Sequence, residues 1–273
     1  METQLLPALQ QTLWGRLAVA NFFLGGAGAG AYVVAAMLSG FERFPILLVA
    51  SALGPALVLT GFLCVALEAG RPLRGPFVLR KMGSSWMSRE LWAGGAFCLF
   101  VAVDLLRPFL PFRLGAVAAA LLFALAQGAI LWRAKGVSAW SVPLMPPLFL
   151  ASALVSGAGV MGVTLPLVRA GAVTVWMAGL IVLSGIAWAG YRLWPGDAAF
   201  RQATASFRAD RTVARVFVVG HLFPFFLLMF DLWEPAVVWT VLAGVLVLEG
   251  QLQAKTWLIL RAGELRPITI PHL

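Results

Sequence analysis

The sequence has 273 residues, of which 61% are hydrophobic and 11% are charged, with a formal net charge of +9. A soluble domain carries about 25% charged residues, so this chain has more apolar side chains than one globular core can bury, and the surplus must face lipid. The apolar residues fall in blocks of about 20, the length that a helix needs to cross a bilayer. Composition therefore excludes a soluble fold and predicts an all-α, polytopic integral membrane helix bundle.

The predicted elements form one transmembrane domain over residues 1–273, with about eight spans and both termini on the same side. The spans lie near residues 17–39, 45–67, 91–106, 114–132, 145–168, 172–194, 213–231 and 236–260. Most connections are short and contain Pro or Gly, which favours antiparallel packing of neighbouring helices. Cys64 and Cys98 lie singly in separate spans, so we predict neither a thiolate metal site nor a disulfide framework.

The first span contains a glycine-rich run over residues 25–30, in which Gly26 and Gly30 have the spacing of small residues at helix interfaces. The run does not follow a strand, as a dinucleotide-binding loop would require. It therefore indicates either close helix packing or close approach of the backbone to a flat ligand.

The segment between the second and third spans carries the densest group of polar residues. Residues 68–72 (EAGRP) follow the second span, and residues 85–90 (SWMSRE) precede the third. The tryptophans of this segment are placed at headgroup depth, where tryptophan is enriched. Its bases predict a positive docking surface, on which Glu68, Arg89 and Glu90 pair with other charges or contact the polar head of a ligand.

Near the outer end of the third span, Asp104 and Arg107 are three residues apart, a spacing that allows an ion pair on one helix face. Separate anchoring of each side chain at the membrane interface is the alternative interpretation.

Polar residues in the later spans are informative, because a charged side chain in a bilayer costs at least about 2.5 to 3.5 kcal/mol. His221 is the only histidine within a span, which argues against bis-histidine haem and against a metal site. It either passes protons near neutral pH or forms a structural hydrogen bond.

In the eighth span, Glu249 and Gln253 are one turn apart, and Gln251 and Lys255 have the same spacing. We predict that this stripe faces the bundle interior, either as a proton path formed by His221, Glu249 and Lys255 or as a hydrogen-bonded clamp.

Basic residues are distributed unevenly between the two predicted faces. Of 20 Lys and Arg residues, 16 lie in the N-terminal segment, the even-numbered loops and the C-terminal end. By the positive-inside rule, these parts are cytoplasmic. The candidates for docking a partner on this face are Arg74, Arg80, Lys81, Arg201 and Arg208. No basic stripe with interleaved aromatic residues lies on a soluble element, so nucleic acid is not a predicted partner.

Three segments resemble the NrfD/PsrC/DmsC-type membrane anchors, the quinone-reactive subunits of molybdopterin oxidoreductases such as polysulfide and dimethyl sulfoxide reductases. They are residues 14–30, with Asn21 and the glycine-rich run, residues 68–72 and residues 85–90. The predicted number of spans agrees with this family.

The resemblance implies a complex of a molybdopterin catalytic subunit, an iron–sulfur subunit with ferredoxin-like clusters, and this anchor. The anchor would bind a quinone, menaquinone or ubiquinone, and hold no haem and no iron–sulfur cluster. The quinone-binding residues implied by the matching segments are Asn21, Glu68, Arg71, Trp86 and Arg89. Some relatives have a histidine in the first span near the quinone, whereas this chain has Leu24 and Gly25 there. Glu68 is therefore our first candidate for the proton-exchanging group.

In this family the iron–sulfur subunit covers the face with the termini and the even-numbered loops. Together with the positive-inside rule, this predicts cytoplasmic partners of the sulfite dehydrogenase or acyl-CoA oxidoreductase type, at the inner (cytoplasmic) membrane of a bacterium. Two alternatives are a purely structural anchor without a quinone site and a secondary transporter. A transporter would need discontinuous helices near the midplane, for which residues 25–30 and 157–162 are the candidates.

Overall fold

The computed structural model describes residues 2–6, 9–69, 75–168, 172–208 and 210–271, without the side chains of residues 2–6, 75, 76, 165, 167, 168, 208, 210 and 268–271. Its α-helices are Arg16–Leu38 (α1), Pro45–Glu68 (α2), Gly75–Leu79 (α3), Trp86–Leu106 (α4), Leu110–Arg133 (α5), Met145–Val168 (α6), Val173–Arg192 (α7), Ala198–Ala203 (α8), Asp210–Val213 (α9), Phe223–Trp233 (α10) and Val237–Thr256 (α11). A 3-10 helix covers Ala205–Arg208, and π-helical segments cover Ala214–Leu222 and Trp257–Arg261. Two strands, Glu2–Leu6 (β1) and Ile268–Pro271 (β2), pair antiparallel.

Seven helical segments in the described parts of the chain are long and apolar enough to cross a membrane. They are Arg16–Leu38, Pro45–Glu68, Leu110–Arg133, Met145–Thr164, Val173–Arg192, Arg211–Trp233 and Val237–Arg261. Helix α4 has a comparable length of 21 residues, but it carries Arg89, Glu90 and Asp104 and is not among them. The prediction of an all-α membrane bundle is confirmed, and the predicted number of about eight spans is close to the seven found.

Helix α4 begins at Trp86, before the predicted start of the third span at residue 91. The Ser85 side chain accepts a hydrogen bond from the backbone N–H of Ser88 and so caps the helix. The apolar block from which the span was predicted therefore begins more than one turn after the first residue of the helix.

Helix α1 lies at the centre of the bundle, where it packs against α2, α5, α6 and α11. A Cβ added to Gly28 would lie 2.5 Å from the Gly54 carbonyl oxygen of α2, and one added to Gly30 would overlap the Ala153 carbonyl of α6. The interpretation of residues 25–30 as a helix-packing surface is therefore confirmed. Both α1 and α6 are continuous helices through the positions where a transporter would need breaks.

The N-terminal and C-terminal strands lie at one end of the bundle, where β1 pairs with β2. The Leu265 N–H also donates to the Leu9 carbonyl, at 2.7 Å, and the Arg266 N–H donates to the Gly136 carbonyl, at 2.7 Å. The Arg266 guanidinium is 2.9 Å from the carboxylate of Asp197. We call this end, which carries residues 9–16, 69, 75–85, 134–144, 193–208 and 262–271, the terminal end.

Aromatic residues connect the helices and loops at the terminal end by stacking and hydrogen bonding. Trp140 Nε1 donates to the Leu258 carbonyl at 2.8 Å, and the Trp140 ring stacks on Trp14 with centroids 5.0 Å apart. Trp257 stacks on Phe207 with centroids 4.1 Å apart. These contacts hold the loop before α6 and the 3-10 helix after α8 against the segment that precedes α1 and the π-helical turn that follows α11.

At the opposite end, Asp104 pairs with Arg113 rather than with Arg107. Arg113 Nε lies 3.0 Å from Asp104 Oδ1, and Arg113 Nη1 donates to the Phe41 carbonyl at 2.6 Å. Arg107 has an extended backbone at the C-terminal cap of α4 and is exposed, so it leaves the helix face that a pair with Asp104 would need. Both interpretations of Asp104 are therefore wrong. Asp104 is buried, and its carboxylate holds the turn from α4 into α5 through the ion pair with Arg113.

Candidate functional site

A buried carboxyl group lies between α1, α4 and α5. Glu90 is 5% exposed, and its Oε1 accepts hydrogen bonds from Asn21 Nδ2 and Gln127 Nε2, both at 3.2 Å. In the part of the chain that the structure describes, Glu90 has no ion pair with Lys or Arg. Burying an acid among apolar helices without a cation costs several kcal/mol, which is typical of functional residues in membranes. We call Asn21, Glu90 and Gln127 the polar triad.

Glycines make room for the polar triad. A Cβ added to Gly61 would lie 3.0 Å from Asn21 Oδ1, and one added to Gly25 would lie 2.9 Å from Gln127 Nε2. Asn21 Oδ1 is buried and has no hydrogen-bond partner among the described residues. Leaving such an oxygen unpaired costs about 1 to 3 kcal/mol, so a bound group with an N–H or O–H donor would stabilise the site.

Glu68 lies outside the polar triad, at the C-terminal end of α2. Its Oε1 accepts a hydrogen bond from the backbone N–H of Gly15, the residue that precedes α1. The first N–H groups of a helix have no acceptor within the helix, and a carboxylate is favoured beside them. Glu68 therefore joins the end of α2 to the start of α1.

Trp86 and Arg89 hold the preceding loop against the start of α4. The Arg89 guanidinium lies 4.3 Å from the centroid of the Trp86 ring. Arg89 Nε donates to the Met82 carbonyl at 3.0 Å, and Nη2 donates to the Gly83 carbonyl at 2.9 Å. Its remaining nitrogen, Nη1, has no acceptor among the residues described, so it is available to a ligand.

A groove of about 530 Å³ follows the outer face of α4 and α5. Trp86, Arg89 and Trp92 form its polar end, and small residues that include Ala93, Ala96, Gly115 and Ala119 line the rest. Its volume lies within the range of roughly 300 to 1,000 Å³ that is common for small-molecule sites. The groove suits a ligand with a flat polar head and an apolar tail. We call it the α4–α5 groove.

The predicted quinone-binding residues lie at or near the terminal end, but at three separate positions. Asn21 belongs to the polar triad, Glu68 joins α2 to α1, and Trp86 and Arg89 form the polar end of the α4–α5 groove. Arg71 lies outside the described residues.

Sequence reasoning named Glu90 as a charge that pairs or contacts a ligand head, but it placed neither Glu90 nor Gln127 among the quinone-binding residues. The sequence did contain a signal for both residues, because Glu90 is a polar residue next to an apolar block and Gln127 is a polar residue within one. Glu90 directly follows Arg89, so the groove and the triad occupy two faces of one turn of α4.

This arrangement lies mostly in the first two fifths of the chain. A family model described as "Polysulphide reductase, NrfD" matches residues 6–113. The match spans α1 to α4 and the start of α5, and it confirms the resemblance to the NrfD family over that part. It includes Glu90 but not Gln127. The NrfD match indicates a membrane subunit of an oxidoreductase complex, and no curated protein matches the chain significantly.

Beyond the region matched by NrfD, a second polar network lies inside the bundle. His221 Nε2 is 3.1 Å from Ser184 Oγ, and Gln251 Nε2 donates to the same hydroxyl at 3.2 Å. Ser152 Oγ donates to Gln251 Oε1 at 2.6 Å, and Lys255 Nζ donates to Ser152. All five side chains are buried, and no described carboxylate pairs with Lys255. The two ionisable groups thus lie at opposite ends of one hydrogen-bonded network.

Glu249 does not join this network. It is exposed on α11 and accepts a hydrogen bond from Gln253 Nε2 at 2.8 Å. Residues 249 and 251 lie about 200° apart around a helix with 3.6 residues per turn. The prediction that the whole stripe faces the interior is therefore wrong for Glu249, whereas Gln251 and Lys255 do face the interior.

His221 also borders an apolar groove of about 410 Å³ between α7 and the helix that contains residues 214–233. Its Nδ1 lies 2.7 Å from the Val216 carbonyl oxygen. Across the described residues, no group of three or more His, Cys, Asp or Glu side chains converges as metal ligands would.

Three of the predicted docking residues, Arg80, Lys81 and Arg201, are exposed at the terminal end. The Arg80 guanidinium lies 5.0 Å from the centroid of the Phe77 ring. Arg74 and the side chain of Arg208 lie outside the described part of the chain.

Proposed function

We propose that the chain is the quinone-reactive membrane subunit of an oxidoreductase complex, which exchanges electrons between a membrane quinone and an iron–sulfur subunit. One observation carries this proposal: the buried Glu90 and the polar end of the α4–α5 groove, at Arg89, are on adjacent residues of α4. A carboxyl that could exchange protons and a groove of quinone size thereby occupy two faces of the same turn of α4. The NrfD match supports an oxidoreductase complex as the setting.

A bound quinone would supply two-electron, two-proton redox chemistry, and the chain would bind it and exchange its protons. Trp86 offers an aromatic face for the ring, and Arg89 Nη1 offers a donor to a ring carbonyl. The small residues of the α4–α5 groove leave space for an apolar tail. Arg71 belongs to this proposal through the family resemblance alone.

Glu90 replaces Glu68 as our candidate for the proton-exchanging group. Glu68 already accepts the Gly15 N–H, a contact that a purely structural carboxylate would make. Among the residues described, only the amide groups of Asn21 and Gln127 donate to Glu90, and Asn21 Oδ1 can still accept a hydrogen bond from a ligand.

The iron–sulfur subunit is proposed to dock on the terminal end, followed by a molybdopterin catalytic subunit. The exposed bases Arg80, Lys81 and Arg201 support this, because electrostatic complementarity steers and orients docking. By the positive-inside rule the terminal end is cytoplasmic, which favours catalytic partners of the sulfite dehydrogenase or acyl-CoA oxidoreductase type at a bacterial inner membrane.

Protons are proposed to move between His221 and Lys255 along the second polar network. Ser184 and Ser152 have hydroxyl groups that relay protons, whereas the amide of Gln251 requires a rotation or a bridging water molecule. Glu249 is not part of this path, because its side chain is exposed on the other face of α11.

The test is quinone turnover by the complex purified in mild detergent. Glu90→Gln keeps the size of the side chain and its hydrogen-bonding capacity but cannot exchange a proton, so kcat should fall by about 10²-fold or more, as for loss of a general acid or base. Glu42→Gln, an exposed position at the opposite end, is the matched control and should retain full activity. Wild-type turnover by Glu90→Gln would contradict the role of Glu90.

Two further arms separate quinone binding from assembly. Ala96→Trp fills the α4–α5 groove and should raise KM for quinone, whereas Leu99→Trp, on a part of α4 that is 63% exposed, should not. Mass spectrometry should find the iron–sulfur and molybdopterin subunits with wild type and with all variants. Recovery of the chain as a lone homo-oligomer without iron or molybdenum would count against the proposed function.

A further inference from the structure

A small cavity with three arginines lies near the terminal end, between α9 with its π-helical continuation and the end of α11. Its volume is about 160 Å³, and Arg211, Arg215 and Arg261 line it together with Gln253 and Thr256. A cavity below roughly 300 Å³ is too small for a whole cofactor, so it suits a single compact group.

The charge in this cavity is not neutralised by the described residues. The lining contains no acidic residue, and the described ion pairs involve Arg113 and Arg266 instead. The nearest acid along α11 is Glu249, whose carboxylate accepts a hydrogen bond from Gln253 and does not line the cavity. The three guanidinium groups therefore form a site for an anion.

Packing holds the helices around the cavity in place, and the three arginines are exposed at its rim. π-Helical turns, which occur frequently at functional sites, lie on both sides as Ala214–Leu222 and Trp257–Arg261. Trp257 Nε1 donates to Ser206 Oγ at 2.9 Å. A Cβ added to Gly220 would lie 2.7 Å from the Gly250 Cα, so the two helices are in backbone contact below the cavity.

The position along the helices indicates the source of the anion. Arg211 is the first residue of one candidate span, and Arg261 is the last residue of another. Exposed apolar side chains such as Leu222 and Phe223 continue the first of these helices toward the bilayer interior. The cavity thus lies at the depth of lipid headgroups, and guanidinium groups bind phosphate oxygens in bidentate geometry.

We infer that this cavity binds the phosphate group of an anionic membrane lipid. The lipid would connect the start of the sixth apolar segment, Arg211–Trp233, to the end of the seventh, Val237–Arg261. This inference does not depend on quinone chemistry.

Native mass spectrometry of the full chain in neutral detergent tests this binding. The chain is titrated with a diphosphatidylglycerol, with phosphatidylcholine, and separately with inorganic phosphate. Wild type should prefer the anionic lipid to phosphatidylcholine. Each arginine near a membrane surface contributes about fivefold in affinity, so Arg215→Gln/Arg261→Gln should weaken binding about 30-fold. The matched control, Arg43→Gln/Arg107→Gln at the opposite end, should keep wild-type affinity.

Arg215→Lys/Arg261→Lys keeps the charge and removes the bidentate geometry, and it should bind more weakly than wild type but better than the glutamine variant. It also provides a folded comparison if the glutamine variant has a lower unfolding temperature. Equal lipid binding by wild type and both double variants would overturn the inference. Saturable binding of inorganic phosphate without a lipid preference would also overturn it, as would loss of a partner subunit from variant membranes with lipid binding unchanged.

Discussion

Replacing Arg113 by alanine should destabilise the bundle strongly, although the residue lies far from the candidate site. Arg113 Nε lies 3.0 Å from Asp104 Oδ1 and 3.1 Å from Oδ2, and its Nη1 contacts the Phe41 carbonyl. The two charged side chains are 10% and 4% exposed, so water does not replace the missing partner. Breaking a buried ion pair from one side costs about 3 to 5 kcal/mol, and we expect the free energy of unfolding to fall by that amount.

The matched control is Arg266→Ala, which removes the same cation from a pair of similar length. Arg266 and Asp197 are 2.9 Å apart, but their side chains are about half exposed, at 49% and 48%. Such a pair contributes about 0 to 1 kcal/mol. Unfolding of the purified chain by a denaturing detergent, at fixed lipid content, measures both variants. Equal destabilisation by the two variants would refute this reasoning.

A double variant separates the loss of the pair from the burial of an unpaired charge. Asp104→Leu/Arg113→Met removes both charges, so it should be less destabilised than Arg113→Ala.

Two further predictions follow from the packing and from the second polar network. Gly30→Ala should lower the free energy of unfolding by more than about 2 kcal/mol, since its Cβ would overlap the Ala153 backbone, whereas Gly95→Ala, with no atom within 4 Å, should be neutral or stabilising. The same detergent titration measures both, and equal effects would contradict the close approach of α1 and α6. Lys255→Met keeps the length of the side chain and removes its charge, so quinone turnover of the assembled complex should fall at least about tenfold. Glu249→Gln should leave turnover unchanged, and full activity of Lys255→Met would remove that residue from the proton path.

Much of the fold was predictable from sequence, because blocks of apolar residues identify spans with little need for tertiary information. The start of α4 was not, since Ser88, Arg89 and Glu90 separate Trp86 and Met87 from the apolar block that begins at Leu91. The partner of Asp104 was missed for a related reason. Residue spacing along one helix suggests Arg107 as the partner of Asp104. Arg113 lies on α5 and contacts Asp104 only because the chain turns back after α4.

The candidate site was predictable in its residues more than in its arrangement. Asn21 and Arg89 were identified in matching segments, but one lies inside the bundle and the other at the α4–α5 groove. That Glu90 is the carboxyl between α1, α4 and α5 depends on the rotation of α4 about its axis. Hydropathy does not determine this rotation when a helix has polar residues on two faces.

The contact between the N-terminal and C-terminal segments has a consequence for biogenesis. Gln10 Nε2 donates to the Leu260 carbonyl at 2.8 Å, across 250 positions of sequence. Helix α1 is synthesised before α11, yet the segment that precedes α1 gains this contact only after α11 has left the ribosome and inserted. A nascent chain that stalls before α11 therefore has an incomplete terminal end. A partner that binds the terminal end would bind only chains in which all of these helices are inserted.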